Sequence, residues 1–545
     1  MLLALAAAVV VARSGALDVS RVYAALNRSV DAYPPPPGWV RGDVGGSARR
    51  FLKSYLWDKR TTVLIYEGKV FVDRQFIEAN NDKTRKHVSF VKSLLARDNA
   101  TRLPNVAYRY STTSTGECPG LEPWEPCLVM AKDPPDRPGV LIPNPYLGDW
   151  RDWHDFRKRL HAVAEESPFA ARKRRAFWRG AIRPGKADPA HRNHDCAIAG
   201  GNYARLQAAS LTLSASRFVD VRCGSTGVCA PREDAHFCDG VEGVPPMPYT
   251  PDMVAVTKKP AIVTSPRWTM QEDYARYKYL LNLPGSTHGS YSRNLNHLWF
   301  LGSVVLQWRQ PAVEWYYAAL QDGETHVEVD HATLPEVVEA LEGDPARAKR
   351  LVDGATAVDR RLLCADCVAD YFDAVLRRLR DRWRADVVLD DPCAFAAFLE
   401  AEADAIGCAG LDLVEIVATY ENKLMSNVNS WQNSFEAWTP LARDGRRHNV
   451  DGSRLNELPR MEKSSHGGWT HALVDARLVG NKTRGDLGSC GYLFHHATRK
   501  CEGISNLDGR CWEGRCWGRK GKSNRRKKRK AGRPATPAEA GPASQ

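Results

Sequence analysis

An apolar segment and a basic residue enclose a run of small and hydroxyl-bearing residues in the second half of the chain. YKYLLNL (277–283) is followed by PGSTHGSYS (284–292), by Arg293 and, shortly afterwards, by the apolar GSVVLQW (302–308). Backbone N–H groups of such a loop, and of the helix turn after it, can bind an oxyanion. Arg293 would add a forked donor with a permanent charge. The pattern predicts a phosphate-binding corner between two buried strands, although a plain strand-to-helix loop would also fit it.

Strands alternate with helices around this corner. TTVLIYEGKVFVD (61–73) predicts a β-hairpin, DWRDWHDFRKRLHAVAEE (149–166) an amphipathic helix, and RAFWRGA (175–181) a short buried strand. Thr333 and Asp344 each precede a proline and a helical pattern, and Thr333 has the spacing of a capping box. Strands that alternate with helices in this way predict an α/β architecture.

The length and composition of the chain indicate a folded protein of more than one domain. Its 545 residues exceed one ordinary core, and 43% hydrophobic with 26% charged residues excludes a disordered or fibrous class. The first 16 residues predict a secretory signal peptide that lacks the usual basic start, with a buried N-terminal helix as the alternative. No later stretch reaches the ~20 apolar residues that span a bilayer, so we expect no transmembrane segment.

The chain contains 14 cysteines, an even number, and most of them lie in clusters. In an oxidising compartment this usage predicts a set of disulfides, although it does not fix their connectivity. The clusters are Cys118 and Cys127; Cys223, Cys229 and Cys238; Cys364 and Cys367; Cys393 and Cys408; and Cys490, Cys501, Cys511 and Cys516.

Three N-glycosylation sequons, at Asn27, Asn99 and Asn481, agree with the same compartment. We therefore expect the lumen of the secretory pathway, in the endoplasmic reticulum or Golgi, or secretion. The CxxC pair at Cys364 and Cys367 predicts a plain disulfide, and a redox site or half of a zinc site is the alternative. Because a second pair at ligand spacing is missing from the sequence, we expect no metal.

The net charge of +13 belongs mainly to the C-terminal tail. RKGKSNRRKKRKAGR (519–533) holds ten basic and no acidic side chains, and subtracting them leaves +3 for the other 530 residues. Such a tail is expected to contact polyanions such as acidic glycans or membrane surfaces, without specific nucleic-acid recognition. A nucleic-acid binder driven by the tail is the alternative that this charge raises.

Several segments match the motifs of one glycosyltransferase family. DYARYKYL (273–280), NLPG (282–285), SYSR (290–293) and LGSVV (301–305) resemble the central motif of the family that contains the protein O-glucosyl/xylosyltransferases and the fungal capsule-associated xylosyltransferase. The resemblance covers about 100–383. Weaker matches are AFWRG (176–180), HVEV (326–329), and PCLVMAK (126–132) with VLIP (140–143).

This resemblance implies a GT-B-like pair of Rossmann-type lobes, and the cysteine pattern of the chain itself predicts a Cys-rich C-terminal extension beyond them. The resemblance also implies an inverting transfer from UDP-glucose or UDP-xylose to a protein or glycan hydroxyl, without a required metal. A catalytically weak or inactive nucleotide-sugar or glycan-binding protein of the same fold is the alternative. The implied divisions are a signal peptide at 1–16, an N-terminal region at 17–99, a core at 100–383 with lobes of roughly 61–175 and 176–345 and closing helices to 383, an extension at 384–518, and a basic disordered tail at 519–545.

The family's donor-binding positions transfer onto two segments of this chain. The segments 179–186 and 288–293 would hold the UDP diphosphate, with loose matches at Ile182, His288 and Gly289. Trp150 and Trp153 lie where the family approaches its acceptor. The donor-binding residues implied are Arg179, Gly180, Arg183, Gly289, Ser290, Ser292 and Arg293.

The catalytic base is the point at which the sequence departs from the family pattern. Alignment of LPNVAYRYSTTSTG (103–116) to the family's strand puts Thr113 or Ser114 where an aspartate should stand, and a neutral hydroxyl is no base near pH 7. A rival alignment of KDPP (132–135) nominates Asp133, whose simpler interpretation is a turn-forming Asp-Pro. We take Asp133 as the candidate base.

Overall fold

The computed structural model describes most of the chain up to residue 416 and a few residues after it. None of the helices within this described part is both long and apolar enough to cross a bilayer. The predictions for the signal peptide, the basic tail and most of 417–518 fall outside it. The described residues are 17–39, 42–57, 62–73, 82–97, 103–111, 116, 118, 120–132, 136–144, 150–182, 192–224, 238–241, 247–265, 269–285, 295–310, 312–406, 413–416, 493, 496–498, 500–501, 511–512 and 515–516.

The first sheet is mixed and has six strands in the order β11-β2-β1-β3-β4-β5. The predicted hairpin is confirmed as β1 and β2, which pair antiparallel around Glu67 and Gly68. Both turn residues have positive φ, 50° and 72°, as a two-residue turn between twisted strands needs. The strands are β1 Thr62–Tyr66, β2 Lys69–Asp73, β3 Val106–Tyr110, β4 Cys127–Val129, β5 Val140–Leu141 and β11 Leu413–Ile416.

The second sheet has five strands, all parallel, in the order β10-β9-β8-β6-β7. The predicted strands around 175–181, 277–283 and 302–308 are confirmed as β6, β8 and β9. Every residue of β9 is buried, which is the expectation for a strand covered on both faces of an α/β sheet. The strands are β6 Lys173–Gly180, β7 Val219–Cys223, β8 Tyr277–Asn282, β9 Val304–Trp308 and β10 Val327–Val329; a separate pair is β12 Cys511–Trp512 and β13 Arg515–Cys516.

Twelve described helices pack on these sheets, and the amphipathic helix predicted at 149–166 is confirmed as α4. Asp344 caps α9 as predicted, because its Oδ1 accepts from the N–H of Arg347 at 2.9 Å. The capping box predicted at Thr333 is wrong, since its hydroxyl donates to Asp330 instead. The helices are α1 Ser20–Asp31, α2 Val44–Leu56, α3 Asp82–Leu95, α4 Trp150–Glu166, α5 Arg192–Ser214, α6 Pro251–Lys258, α7 Leu295–Leu298, α8 Leu334–Gly343, α9 Pro345–Arg361, α10 Ala365–Trp383, α11 Asp386–Leu389 and α12 Pro392–Ile406.

One feature joins the two sheets, and a second ties the helix between them to the second sheet. Lys132, just after β4, exchanges backbone hydrogen bonds of 3.0 and 2.9 Å with Val313, which lies in the connection from β9 to β10. Arg172, ahead of β6, donates to the carbonyl oxygens of Ala164 at the end of α4 and of Leu301 before β9. The fold is therefore a mixed α/β structure with two sheets, in agreement with the predicted α/β class.

Four disulfides are present in the described part, and two of them match the sequence clusters. Cys118–Cys127 and Cys364–Cys367 are local, whereas Cys393–Cys501 joins two different clusters and Cys196–Cys238 joins a cluster to the one cysteine outside them. By chain-entropy arguments a bridge over 108 residues stabilises by about 5 kcal/mol, and one over 3 residues by about 2 kcal/mol. The bridges fit an oxidising compartment.

Candidate functional site

The carboxyl ends of β6 and β8 lie side by side at the point where the strand order of the second sheet reverses. β6 neighbours both β7 and β8, so its two following crossovers run to opposite sides. Ligands of open α/β sheets bind in the crevice at such a switch point, outside the carboxyl ends of the strands. The two predicted donor-binding segments, 179–186 and 288–293, belong to the connections that follow these two strands.

A row of polar residues crosses this end of the sheet. Arg179 of β6 is paired with Arg222 of β7, and Asn282 of β8 with Gln307 of β9. Extending the pairing of Phe177 with Leu280 by two residues sets Arg179 beside Asn282. Laterally paired residues of a sheet share a face. We call Arg222, Arg179, Asn282 and Gln307 the carboxyl-end row.

The row lies on the face of the second sheet that is turned toward the first. Leu281 and Leu306 belong to a core confined to the second sheet, whereas Leu280 and Val305 belong to the core that also contains residues of the first sheet. Because successive strand residues alternate between faces, Asn282 and Gln307 share the face of the latter pair. The row therefore borders the space between the two sheets.

Arg179, one of the predicted donor-binding residues, is held by ion pairing at the end of β6. Its Nη2 donates to Oδ1 of Asp220 at 2.8 Å and its Nη1 to the carbonyl oxygen of Asp220 at 2.7 Å. The guanidinium lies 4.2 Å from the ring centre of Phe177, and only 11% of the side chain is exposed. A ligand would therefore meet an arginine whose orientation is already fixed.

Arg222 shares the same carboxylate and is the more accessible of the two arginines. Its Nε donates to Oδ1 of Asp220 at 3.0 Å, and 34% of its side chain is exposed, against 11% for Arg179. Tyr277 donates to the other carboxylate oxygen at 3.2 Å. Two arginines and one aspartate leave this group with a net charge of +1, which favours an anionic ligand.

Two side chains outside the row fix the strand ends from which the connections leave. The hydroxyl of Tyr274 accepts from the N–H of Arg179 at 3.1 Å and donates to its carbonyl oxygen at 3.0 Å. Arg205 of α5 donates to the carbonyl oxygens of Ala181 at 2.6 Å and Pro284 at 2.9 Å. Arg205 thus ties the start of one predicted donor-binding segment to the connection that contains the other.

Gly180, the second predicted residue of this strand end, has a packing reason to be glycine. A Cβ at this position would lie 2.3 Å from Cζ2 of Trp178, whose indole belongs to the core of the second sheet. Any side chain would displace that ring or bend the end of β6. The glycine therefore allows the strand to end beside β8.

Asn282 and Gln307 are buried polar side chains with unpartnered atoms. Asn282 is 0% exposed, and both its Oδ1 and Nδ2 are without a hydrogen-bond partner in the described structure, as is Oε1 of Gln307. An unpaired buried amide costs about 1–3 kcal/mol, and more than nine in ten buried polar groups find a partner. Two unsatisfied amides on adjacent strands indicate a place for a hydrogen-bonding ligand.

Glu314 is a third buried side chain of this kind, and it follows the residue that joins the two sheets. It is 1% exposed, and within the described structure neither of its carboxylate oxygens has a hydrogen-bond partner. Burial raises the pKa of Glu314 to about 8. The carboxyl is therefore neutral in most molecules at pH 7 and would act as a hydrogen-bond donor.

The other predicted site residues lie outside the described residues. Lys132 marks where the segment of Asp133 begins, beside Val313. Pro284 and Gly285, the first two residues of the predicted phosphate-binding loop, are described and follow β8 closely. The undescribed predictions are Asp133, Arg183, Gly289, Ser290, Ser292 and Arg293.

The acceptor contact expected for Trp153 is wrong. Its side chain is 2% exposed, packs on Phe300 and donates from Nε1 to the carbonyl oxygen of Leu363 at 2.9 Å. The side chain of Trp150 lies outside the described residues. A surface groove of about 390 Å³ runs along the outer side of α4, between His154 and Glu165, and none of the predicted site residues lines it.

The structure adds functional candidates that the sequence did not suggest. Arg222, Asn282, Gln307 and Glu314 each stand in apolar or mixed stretches, and only the pairing of strands distant in sequence brings the first three into one row. Among the described residues, His, Cys, Asp and Glu do not form a group of three that could hold a metal ion.

No family model matches the chain, and no curated protein is similar to it.

Proposed function

We propose that the protein is a UDP-sugar-dependent glycosyltransferase whose two sheets are the paired lobes of a GT-B-like fold. One observation carries the proposal: both predicted donor-binding segments follow neighbouring parallel strands that end at the switch point, and a polar row with unsatisfied amides lies there. The donor would be UDP-glucose or UDP-xylose, and the acceptor a protein or glycan hydroxyl in the lumen of the secretory pathway or outside the cell.

The proposed division of labour follows from charge. The leaving diphosphate gains negative charge during transfer, and fixed cations and backbone N–H groups stabilise it best when they are already oriented. Arg222 and the predicted Arg293 would supply that stabilisation. Arg179, which is held by Asp220, would add to the positive electrostatic potential at the site. The neutral amides of Asn282 and Gln307 suit the hydroxyls of the donor's sugar or ribose.

The proposed base is Asp133. Its neighbour Lys132, which follows β4, is fixed by two backbone hydrogen bonds to Val313 in the connection from β9 to β10. The chain therefore enters the Asp133 segment at a defined position. A carboxylate there would take the proton of the acceptor hydroxyl as the sugar is transferred from the opposite face. Asp133→Asn should then abolish transfer and leave UDP binding intact.

The test combines UDP binding with transfer of labelled sugar from several UDP-sugars, with hydrolysis counted separately. In Asn282→Leu, removal of an unsatisfied amide should leave the free protein as stable as the wild type or more so. The same change should weaken UDP-sugar binding at least tenfold if the amide contacts the donor. Arg293→Ala should weaken binding of UDP itself.

Full UDP-sugar affinity in both variants would overturn the proposed site. Tight donor binding without transfer to any acceptor, or hydrolysis, would overturn the enzymatic part and leave a nucleotide-sugar-binding protein.

A further inference from the structure

The Cys364–Cys367 disulfide occupies the N-terminus of α10, a helix of 19 residues. Cys364 is the N-cap residue, and its Sγ accepts from the backbone N–H of Cys367 at 2.9 Å. The free N–H groups and the dipole of a helix start stabilise a negative charge, and a thiolate in a CxxC pair at such a position has a lowered pKa. The fold therefore favours Cys364 as a thiolate once the bond opens.

The two sulfurs have different surroundings. Whereas the Sγ of Cys364 meets an N–H donor, the Sγ of Cys367 lies 3.5 Å from the carbonyl oxygen of Arg360. A carbonyl oxygen can accept from a thiol but repels a thiolate. When reduced, the pair would thus hold its charge on Cys364 and its proton on Cys367, which is the division that an attacking and a resolving cysteine need.

Nearby charges do not cancel this preference. Asp366, in the first turn of α10, would disfavour a thiolate, but its carboxylate is paired with Arg97 at 2.6 Å. The side chain of Asp366 is also 68% exposed, so water screens much of its charge.

Among the four described disulfides, this is the one in which both cysteines are partly exposed. Cys118 is partly exposed as well, but its partner Cys127 is buried, and the other two bridges join buried residues, Cys196 with Cys238 and Cys393 with Cys501. With a sequence separation of only 3, the bridge constrains the unfolded chain least of the four. The buried face of α10, which includes Val368, holds this helix in the core independently of the bridge. Opening it would not require unfolding.

We propose that Cys364–Cys367 is a thiol–disulfide exchange site that accepts two electrons from a dithiol of a protein substrate. A substrate thiolate attacks Sγ of Cys364, the Cys364–Cys367 bond breaks, and Cys367 leaves and takes a proton. The second substrate thiolate then attacks the substrate sulfur of the mixed disulfide and releases Cys364 as the thiolate. The substrate becomes a disulfide and the CxxC pair a dithiol. This inference does not depend on the proposed sugar transfer.

The first test is a redox titration of the full chain in mixtures of reduced and oxidised glutathione. Differential alkylation and mass spectrometry report each disulfide separately. Cys364–Cys367 should become half reduced at a ratio of reduced to oxidised glutathione at least tenfold lower than Cys196–Cys238 or Cys393–Cys501 require, with the helical circular dichroism unchanged. Reduction of all three bridges together, or loss of folding along with Cys364–Cys367, would overturn the proposal.

The second test separates the roles of the two cysteines with a disulfide-bonded peptide as the probe. Cys367→Ser leaves Cys364 able to attack but removes the resolving thiol, so a mixed disulfide with the peptide should accumulate. Cys364→Ser should trap at least fivefold less, because the remaining thiol faces a carbonyl oxygen. Equal trapping by the two variants, or none by either, would contradict the assignment. If a variant fails to fold, the glutathione titration of the wild-type protein still tests the proposal.

Discussion

A buried arginine of the first sheet and two buried amides of the second sheet differ in how they are paired. In the first, Arg109 of β3 is fully buried, yet it donates to the carbonyl oxygen of Ser54 at 2.6 Å and lies 3.8 Å from the carboxylate of Glu125. In the second, Asn282 and Gln307 are buried with unpartnered atoms. The first sheet therefore uses its buried charge to hold the fold together. The second leaves hydrogen-bonding capacity unused at the edge where a ligand of an α/β sheet binds.

The largest effect should come from removal of the buried, ion-paired arginine in the first sheet. Arg109→Met leaves Glu125 buried without its cation, and breaking a buried ion pair from one side costs about 3–5 kcal/mol. The free energy of unfolding, measured by urea denaturation, should fall by that amount. Added UDP should still raise the free energy of unfolding of Arg109→Met, because the variant leaves the proposed UDP site unchanged. A loss below 1 kcal/mol would show that the first sheet does not depend on this pair.

The unpartnered carboxyl of Glu314 can be compared with a paired one through the pH dependence of the free energy of unfolding. Its folded pKa of about 8 lies above the unfolded value, so its contribution to stability is complete below the unfolded pKa and is lost as pH rises toward 8. Relative to Glu314→Gln, the wild type should lose about 1.4 kcal/mol per pH unit between pH 5 and 7. The measurement is urea denaturation of both proteins across that range.

Glu125→Gln is the matched control for this pH series, because Glu125 is equally buried but lies beside a cation. That variant should be destabilised, since Arg109 loses its charged neighbour. Parallel stability curves for the wild type and Glu314→Gln would show that Glu314 finds a partner in solution.

The strands β6, β8 and β9 of the second sheet could be predicted from the sequence because each contains a short apolar run bounded by glycine, proline or polar residues, whereas β7, VDVRC, was not predicted. The apolar character of these strands also made two polar residues of the candidate site hard to identify from the sequence. Asn282 is only the polar end of YKYLLN, and Gln307 only one amide within VVLQW, until the pairing of β8 with β9 sets them side by side. Parallel strands are joined by long crossovers and not by a short turn that would fix their register, so the sequence alone does not reveal which residues lie side by side.

The disulfides and Glu314 show the same limit. Cys196–Cys238 and Cys393–Cys501 span 42 and 108 residues, and spacing alone does not specify connectivity. Glu314 stands in a mixed stretch, QPAVEWYY, that has neither strand nor helix periodicity. Its burial comes from the bridge between Lys132 and Val313, which joins segments 181 residues apart in the chain. Only the assembled fold places that carboxyl away from water.

The smallest change in stability is expected for substitution of Arg222, at the charged end of the carboxyl-end row. This substitution tests whether Arg222 binds the ligand or stabilises the fold. Because Arg179 remains paired with Asp220 without Arg222, Arg222→Ala should change the free energy of unfolding by less than about 1 kcal/mol. Loss of one cation near the diphosphate should weaken UDP binding about tenfold, or about 1.4 kcal/mol. The control is Arg217→Ala, an exposed arginine before the amino end of β7. Isothermal titration with UDP checks both variants, and equal affinities would place the diphosphate away from this end of the sheet.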